Sequence, residues 1–235
     1  MSSWLSFSSV EIQALQLSLS VALRSVLLNV IPAICLAWLL TRRNFTGKVA
    51  LDALIHLPLV LPPVVIGYLL LLLFGVRGPV GAWLLNHFNV RLVFTSNGAA
   101  LATAIMSMPL MVRSIRIALE NVDRGLEEAA RTLGANKLDC FFTITLPLMS
   151  PGILAGLITA FAAGLGEFGA VITFAGNVPD ETQTLPLALY SALQSPQGDA
   201  IAMRLATLSC ALGLSGLLLS EWLTRSLRHR LGRHP

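Results

Sequence analysis

Residues Glu127–Pro147 read EEAARTLGANKLDCFFTITLP and form the most polar part of the chain's interior, between two long apolar segments. Asp123, just ahead of this stretch, can cap a short helix because its carboxylate accepts hydrogen bonds from the first free backbone N–H groups. Gly134 suits the residue just past the helix end, where a left-handed backbone is common. The stretch therefore predicts a helix of roughly eleven residues, which is too short to be stable alone in water.

The surface of this helix indicates what it could pack against. Leu126, Ala130 and Leu133 lie three and four residues apart and so share one helical face. Ala129 and Ala130 leave a shallow surface that a partner could approach closely. Two interpretations follow: a short helix set into a groove on another protein, or a surface turn between two membrane helices. Periodicity alone leaves both open.

Composition narrows the class of protein. The 235 residues are 55% hydrophobic and 12% charged, with a mean hydropathy of +0.75, whereas an ordinary soluble domain carries about 25% charged residues. A chain this apolar is predicted to be an all-α membrane protein with several spans, forming a single domain over 1–235. The net charge of +4 does not indicate a nucleic-acid partner, because the basic residues alternate with apolar segments.

Five apolar segments are long enough to be transmembrane helices. The polar stretch described above lies in a loop of about 119–150, and a second polar region, 176–198, is predicted to be a loop as well. Residues 82–88 are expected to form a short amphipathic helix at the outer membrane surface. The five predicted spans are about 15–40, 53–75, 98–118, 151–174 and 201–223.

The second span contains three prolines, Pro58, Pro62 and Pro63. Proline lacks the backbone N–H and blocks the hydrogen bond of the preceding turn, so this helix is predicted to break or unwind. Unwound backbone at membrane depth is tolerated only against protein or a water-filled cavity. The prolines therefore indicate either a transport pathway or a bent helix packed within the bundle.

Lysine and arginine predict the orientation of the chain. With five spans, the N-terminus is expected outside and the C-terminus in the cytoplasm, which places the loop at 119–150 in the cytoplasm. The outer face would hold Arg77, Arg91 and Arg204, and Arg24 lies within the first span. The inner face would hold Arg42, Arg43, Lys48, Arg113, Arg116, Arg124, Arg131, Lys137, Arg225, Arg228, Arg230 and Arg233.

The sequence offers no catalytic constellation: we find no complete phosphate-binding loop, no metal-ligand spacing and no serine or cysteine triad. An intramembrane enzyme using Glu167 or His56 is an alternative, as is a secondary transporter, although no clear internal repeat supports the latter. Arg24 and Glu167 are isolated charges inside predicted spans. They are expected either to pair or to be satisfied separately, Arg24 by extending outward and Glu167 by nearby backbone.

The polar stretch carries a family resemblance. Its spacing resembles the cytoplasmic motif of ABC importer permeases, written EAA, three residues, G, nine residues, I, one residue, LP. The matching residues, which the resemblance implies couple the chain to an ATPase, are Glu128, Ala129, Ala130, Gly134, Ile144, Leu146 and Pro147. In that family the helix docks in a cleft of a cytoplasmic ATPase, and the permeases have the type I importer fold.

Three further segments, Leu57–Val65, Met108–Arg113 and Leu165–Ala170, resemble the molybdate permeases. Related sulfate permeases typically read GEYGS where this chain reads GEFGA. The resemblance implies a permease that moves molybdate into the cytoplasm by alternating access. The alternatives are a tungstate or a sulfate/thiosulfate permease. The residues expected along the path or gate are Pro58, Pro62, Pro63, Glu167, Phe168 and Gly169.

The resemblance also implies partners and a location. They are a second copy of the chain forming a homodimer, a cytoplasmic ABC ATPase dimer, a periplasmic or extracellular molybdate-binding protein, and membrane lipid. The chain itself is expected to hold no cofactor, with ATP and Mg bound by the partner ATPase. The expected location is the cell inner membrane.

Overall fold

The computed structural model describes residues 8–196 and 198–230, and within them the chain is all helical. A π-helical turn, Phe141–Thr145, joins Lys137–Cys140 to Leu146–Leu165, so that 137–165 is one continuous helix. The helices are α1 (Ser9–Arg42), α2 (Lys48–Val60), α3 (Pro63–Phe74), α4 (Pro79–Phe88), α5 (Ser96–Glu120), α6 (Arg124–Thr132), α7 (Lys137–Cys140), α8 (Leu146–Leu165), α9 (Gly169–Phe174), α10 (Leu185–Leu193) and α11 (Asp199–Arg230).

The centre of the fold is formed by α1, α5 and α8, which pack against one another. Small residues let these helices approach closely. Gly152 of α8 lies so near α5 that an added Cβ would collide with the Ala118 side chain, and the Ser114 hydroxyl donates a hydrogen bond of 2.9 Å to the Gly152 carbonyl oxygen. Small residues at a helix contact, here Gly152 and Gly156, are typical of membrane helix pairs.

Three helices are long and apolar enough to cross a membrane, namely Ser9–Arg42, Ser96–Glu120 and Lys137–Leu165, and a fourth span is possible if α2 and α3 count together. The first two contain the predicted spans at about 15–40 and 98–118. The fifth predicted span, about 201–223, lies in α11, which is not among the candidates found in the described residues. The five-span count and the orientation of the termini therefore stay predictions.

The second predicted span, 53–75, is broken, as its prolines predicted. It is two helices bent by 117°. Leu61 has an extended backbone with ψ 145°, as expected for a residue before proline. Pro63 begins α3, where a missing N–H costs nothing because that group has no helical partner. The Pro62–Pro63 pair therefore makes the break, whereas Pro58 is accommodated inside α2 and is buried.

The fourth predicted span, 151–174, is not one continuous helix. The continuous helix begins earlier, at Lys137, and ends at Leu165. A new helix, α9, starts at Gly169. The carboxylate of Glu167 accepts a hydrogen bond of 2.9 Å from the Ala170 backbone N–H, which satisfies one of the free donors at the start of α9.

The region 176–198 is not the loop that its prolines suggested, because α10 lies within it. Pro186 is in the first turn of α10, the position where proline favours a helix instead of breaking it. The short helix predicted at 82–88 is confirmed, with its start at Pro79.

Candidate functional site

The first candidate site is α6 and its two ends. Asp123 caps the helix, accepting a hydrogen bond of 2.8 Å from the Gly125 N–H, as predicted. Gly134 follows the helix with φ +97°, the left-handed backbone predicted for it. The Gly134 N–H bonds to the Arg131 carbonyl and the Ala135 N–H to the Ala130 carbonyl. This pair of bonds closes a helix whose carbonyls would otherwise lack partners.

The surface of α6 is open. None of its residues, all of which the structure describes, is buried, and Glu128 and Ala129 are exposed while Ala130 is half-buried. Leu133 is 89% exposed, although a leucine is usually found inside a protein. Single exposed apolar side chains are common on protein surfaces, so docking of a partner on this loop stays a prediction. The exposed large apolar side chains of the segment are Leu126, Leu133, Leu138 and Phe142.

Glu127 makes the side-chain contacts from α6 to other helices, whereas Glu128 is exposed and its predicted contact with an ATPase stays a prediction. Glu127 Oε1 lies 2.8 Å from Arg42 Nη2 and accepts a hydrogen bond of 2.7 Å from the Thr145 hydroxyl. Sequence reasoning missed Glu127, because two adjacent glutamates look alike until the helix phase and the end of α1 are known.

The remaining motif residues lie in the π turn and at the start of α8. Ile144 and Leu146 are half-buried and Pro147 is exposed. In a regular α-helix the Pro147 ring would meet the Thr143 carbonyl. The π turn avoids this contact, with the Leu146 N–H bonding to the Phe141 carbonyl five residues back. The Leu-Pro pair of the motif thus marks the transition from the loop helix to the long helix.

The second candidate site is where the two helix breaks meet. A Cβ added to Gly169 would lie 2.7 Å from the Pro63 Cβ, so two of the predicted path residues are brought together. The ring of Phe168 packs against that of Tyr190 on α10, with their centroids 5.2 Å apart. Pro62 is exposed. Pro58 is buried on α2, on the other side of the bend.

The isolated charges are satisfied separately, so direct pairing of Arg24 with Glu167 is wrong. Arg24 Nη1 lies 3.2 Å from both Ser96 Oγ and Asn97 Oδ1 at the start of α5, and Glu167 bonds to the backbone of α9. The physical reason is that each charge finds a nearer partner, a helix N-terminus in the case of Glu167.

The two side chains suggested for an intramembrane enzyme also form hydrogen bonds with nearby helix backbone. His56 Nδ1 lies 2.8 Å from the Asp52 carbonyl oxygen within α2. Asp52 is in turn bound by Arg116 of α5. Glu167 is held by the Ala170 N–H. Both proposed catalytic groups thus serve local helix structure.

Comparison with known proteins gives close relatives over almost the whole chain. It is 55% identical over 95% of its length to the molybdenum transport system permease protein ModB of Escherichia coli K12, covering 97% of that protein. It is 52% identical to ModB of Haemophilus influenzae, with 95% and 98% covered. The sulfate transport system permease protein CysT of E. coli K12 is 38% identical, with 94% and 78% covered. These relatives are transport permeases and not enzymes.

Solved structures agree on the fold. A chain from the crystal structure of a bacterial alginate ABC transporter, in complex with an alginate pentasaccharide-bound periplasmic protein, superposes with a TM-score of 0.74 at 19% identity, covering 94% of this chain and 80% of that one. A chain of an amino acid ABC transporter gives 0.63 at 21% identity, with 92% and 94% covered. The family described as binding-protein-dependent transport system inner membrane component matches residues 14–229, and the chain belongs to that family.

Proposed function

We propose that this chain is the membrane-spanning permease subunit of an ATP-driven ABC importer that carries molybdate into the cytoplasm. The observation that carries the proposal is the 55% identity to a molybdenum permease over 95% of the chain. The exposed, capped helix α6 supports it, since a permease needs a surface for the subunit that hydrolyses ATP. The protein is a multi-pass integral protein of the inner membrane.

The partners follow from the same family. A cytoplasmic ATPase supplies the energy, with ATP and Mg bound there, and a periplasmic binding protein captures the anion. One chain encloses little space between its helices, so we infer that two copies lie side by side with the pathway between them. Closure of the ATPases would move the two α6 helices together, and the spans would swing between inward-facing and outward-facing arrangements as packed bodies.

Selectivity is assigned mainly to the binding protein. A tetrahedral dianion must leave the pathway quickly, so the path should not hold it in a deep electrostatic well. The predicted spans contain one deeply placed cation, Arg24, and its guanidinium is already bonded to Ser96 and Asn97. A binding protein can hold an oxyanion through neutral donors and helix N-termini.

The test is uptake of radiolabelled molybdate in a transporter-deficient strain that expresses the chain with its partner ATPase and binding protein. Excess unlabelled tungstate should compete with molybdate and excess sulfate should not. If sulfate competes as well as tungstate does, the complex is a sulfate permease and the GEFGA segment, residues 166–170, does not mark the substrate. A strain lacking the ATPase serves as the control and should show no uptake.

A further inference from the structure

The carboxylate of Glu127 joins three segments that are far apart along the chain. Its Oε1 atom accepts hydrogen bonds from Arg42 Nη2 at 2.8 Å and from Thr145 Oγ1 at 2.7 Å. Arg42 is the last residue of α1, and Thr145 is the last residue of the π turn before α8. Thr145 is 3% exposed, the Arg42 side chain 11% and the Glu127 side chain 25%, so the contact is partly shielded from water, which strengthens charge-assisted hydrogen bonds.

Little else attaches α6 to α1. No residue of Arg124–Thr132 is buried, so apolar packing contributes little to holding α6 in place. Its backbone continues only into α5 and α7, whereas α1 reaches it through side chains. Within the described part of the chain, Arg42–Glu127 is the ion pair that links α1 to α6.

The surroundings of the pair are basic. A cavity of about 280 Å³ opens between the end of α1 and α6. Without the Glu127 carboxylate, the Arg42 guanidinium would face like charges and would be repelled from this position. The Glu127 carboxylate therefore helps to hold the end of α1 in place. The charged side chains that line the cavity are Arg42, Arg43, Arg124, Glu127, Glu128, Arg131 and Lys137.

We propose that Glu127, and not the motif residue Glu128, is the positioning residue that transmits a displacement of α6 to the membrane helices. When the partner ATPase moves α6, the ion pair draws the end of α1 with it, and the Thr145 bond draws the start of α8. Because α1 and α8 both pack against α5, the three helices then move as one body. Glu128 stays exposed and free to face the partner. This inference rests on the proposed function.

The test uses the complete complex in proteoliposomes, with the ATPase inside and the molybdate-loaded binding protein outside. The variant is Glu127→Gln, and the two measurements are molybdate delivered per ATP hydrolysed and the amount of ATPase that co-purifies. We expect the ratio to fall about tenfold, because the amide oxygen can still accept the hydrogen bonds but the negative charge that holds Arg42 is lost, while co-purification is unchanged. The matched control is Glu120→Gln at the end of α5, whose side chain is 54% exposed, and it should keep the wild-type ratio.

A second variant tests the pair itself. Arg42→Glu and Glu127→Arg should each lower the ratio, and the double exchange should restore it. A wild-type ratio in Glu127→Gln would overturn the proposal. So would a loss of co-purifying ATPase, which would place Glu127 in the partner interface, or a proportional fall of uptake and hydrolysis, which would indicate a purely structural role. Failure of the wild-type complex to import molybdate would instead count against the proposed function.

Discussion

Gly169 at the start of α9 lies directly against Pro63 at the start of α3, with room for no side chain between them. The same two helices meet again one turn further on, where a Cβ added to Gly67 would lie 2.7 Å from the Ala170 carbonyl oxygen. The two breaks in the helical structure therefore form a single contact between backbones. Any motion at one break must therefore displace the other.

Replacing Gly169 with alanine should destabilise this contact. The added methyl group must push Pro63 aside, and overpacking of this kind costs about 1–3 kcal/mol. We expect a lower thermal unfolding midpoint for the purified protein and slower molybdate uptake. Gly213→Ala on α11 is the matched control, because an added Cβ there meets nothing within 4 Å. Equal behaviour of the two variants would show that the contact is not tightly packed.

Gly134→Val should weaken binding of the ATPase. The left-handed backbone at φ +97° disfavours a β-branched residue, and an added Cβ meets nothing within 4 Å, so the cost is conformational and amounts to about 1 kcal/mol or more. Gly134→Asn is the control, since asparagine tolerates this backbone better. Both variants should insert in the membrane normally, and co-purification with the ATPase should fall only for valine. If the valine variant co-purifies with the ATPase as well as the wild type does, the chain can form this turn without glycine.

The predicted orientation can be checked with single cysteines in a background lacking Cys35, Cys140 and Cys210. Exposed Asn44 and Thr132 should label only from the cytoplasmic side, and exposed Asn86 and Glu181 only from outside. Gly81 and Gly198 would be poor sites, because an added side chain would collide with backbone carbonyls. Labelling of Thr132→Cys from outside intact cells would show that the true orientation is the reverse of the predicted one.

Arg204→Ala should be strongly destabilising. Arg204 Nε lies 2.8 Å from Glu11 Oε1, and Glu11 is 1% exposed. Without the arginine, the buried Glu11 carboxylate keeps its hydrogen bond from the Ser8 N–H but loses its ion-pair partner, and breaking a buried ion pair costs up to about 3–5 kcal/mol. Thermal unfolding of the purified protein measures the loss, with the exposed Arg77→Ala as the control. Glu11→Gln combined with Arg204→Met should recover part of it, and the absence of any recovery would show that the pair is not the cause.

The prolines explain both what the sequence predicted well and what it did not. The Pro62–Pro63 break was predictable because two adjacent prolines remove consecutive N–H groups and force extended backbone before them. Pro186 has the same chemistry but lies in the first turn of α10, where it supports a helix. Which outcome applies depends on where the helix begins, and that position is set by tertiary packing.

The candidate site around α6 also has one part that the sequence predicts and one part that it does not. The ends of α6 were predictable because Asp123 and Gly134 act through local backbone chemistry. The Arg42–Glu127–Thr145 contact was not, since it joins residues up to 103 positions apart whose distance depends on how α1, α6 and α8 pack. The break after Leu165 depends likewise on Glu167 reaching the Ala170 N–H, and nothing in an apolar run of glycine and alanine predicts that.

The π turn at Phe141–Thr145 sets the direction in which the loop that contains α6 faces relative to α8. A π turn holds one residue more than the α-helix around it, and each α-helical residue turns the chain by about 100°. Deleting one residue within this segment would rotate the loop relative to the long helix and would bring the Pro147 ring against the carbonyl four residues before it. Under the proposed function, insertion or loss of a single residue here would therefore re-aim α6 relative to the ATPase, while the sequences of α6 and α8 remain as they are.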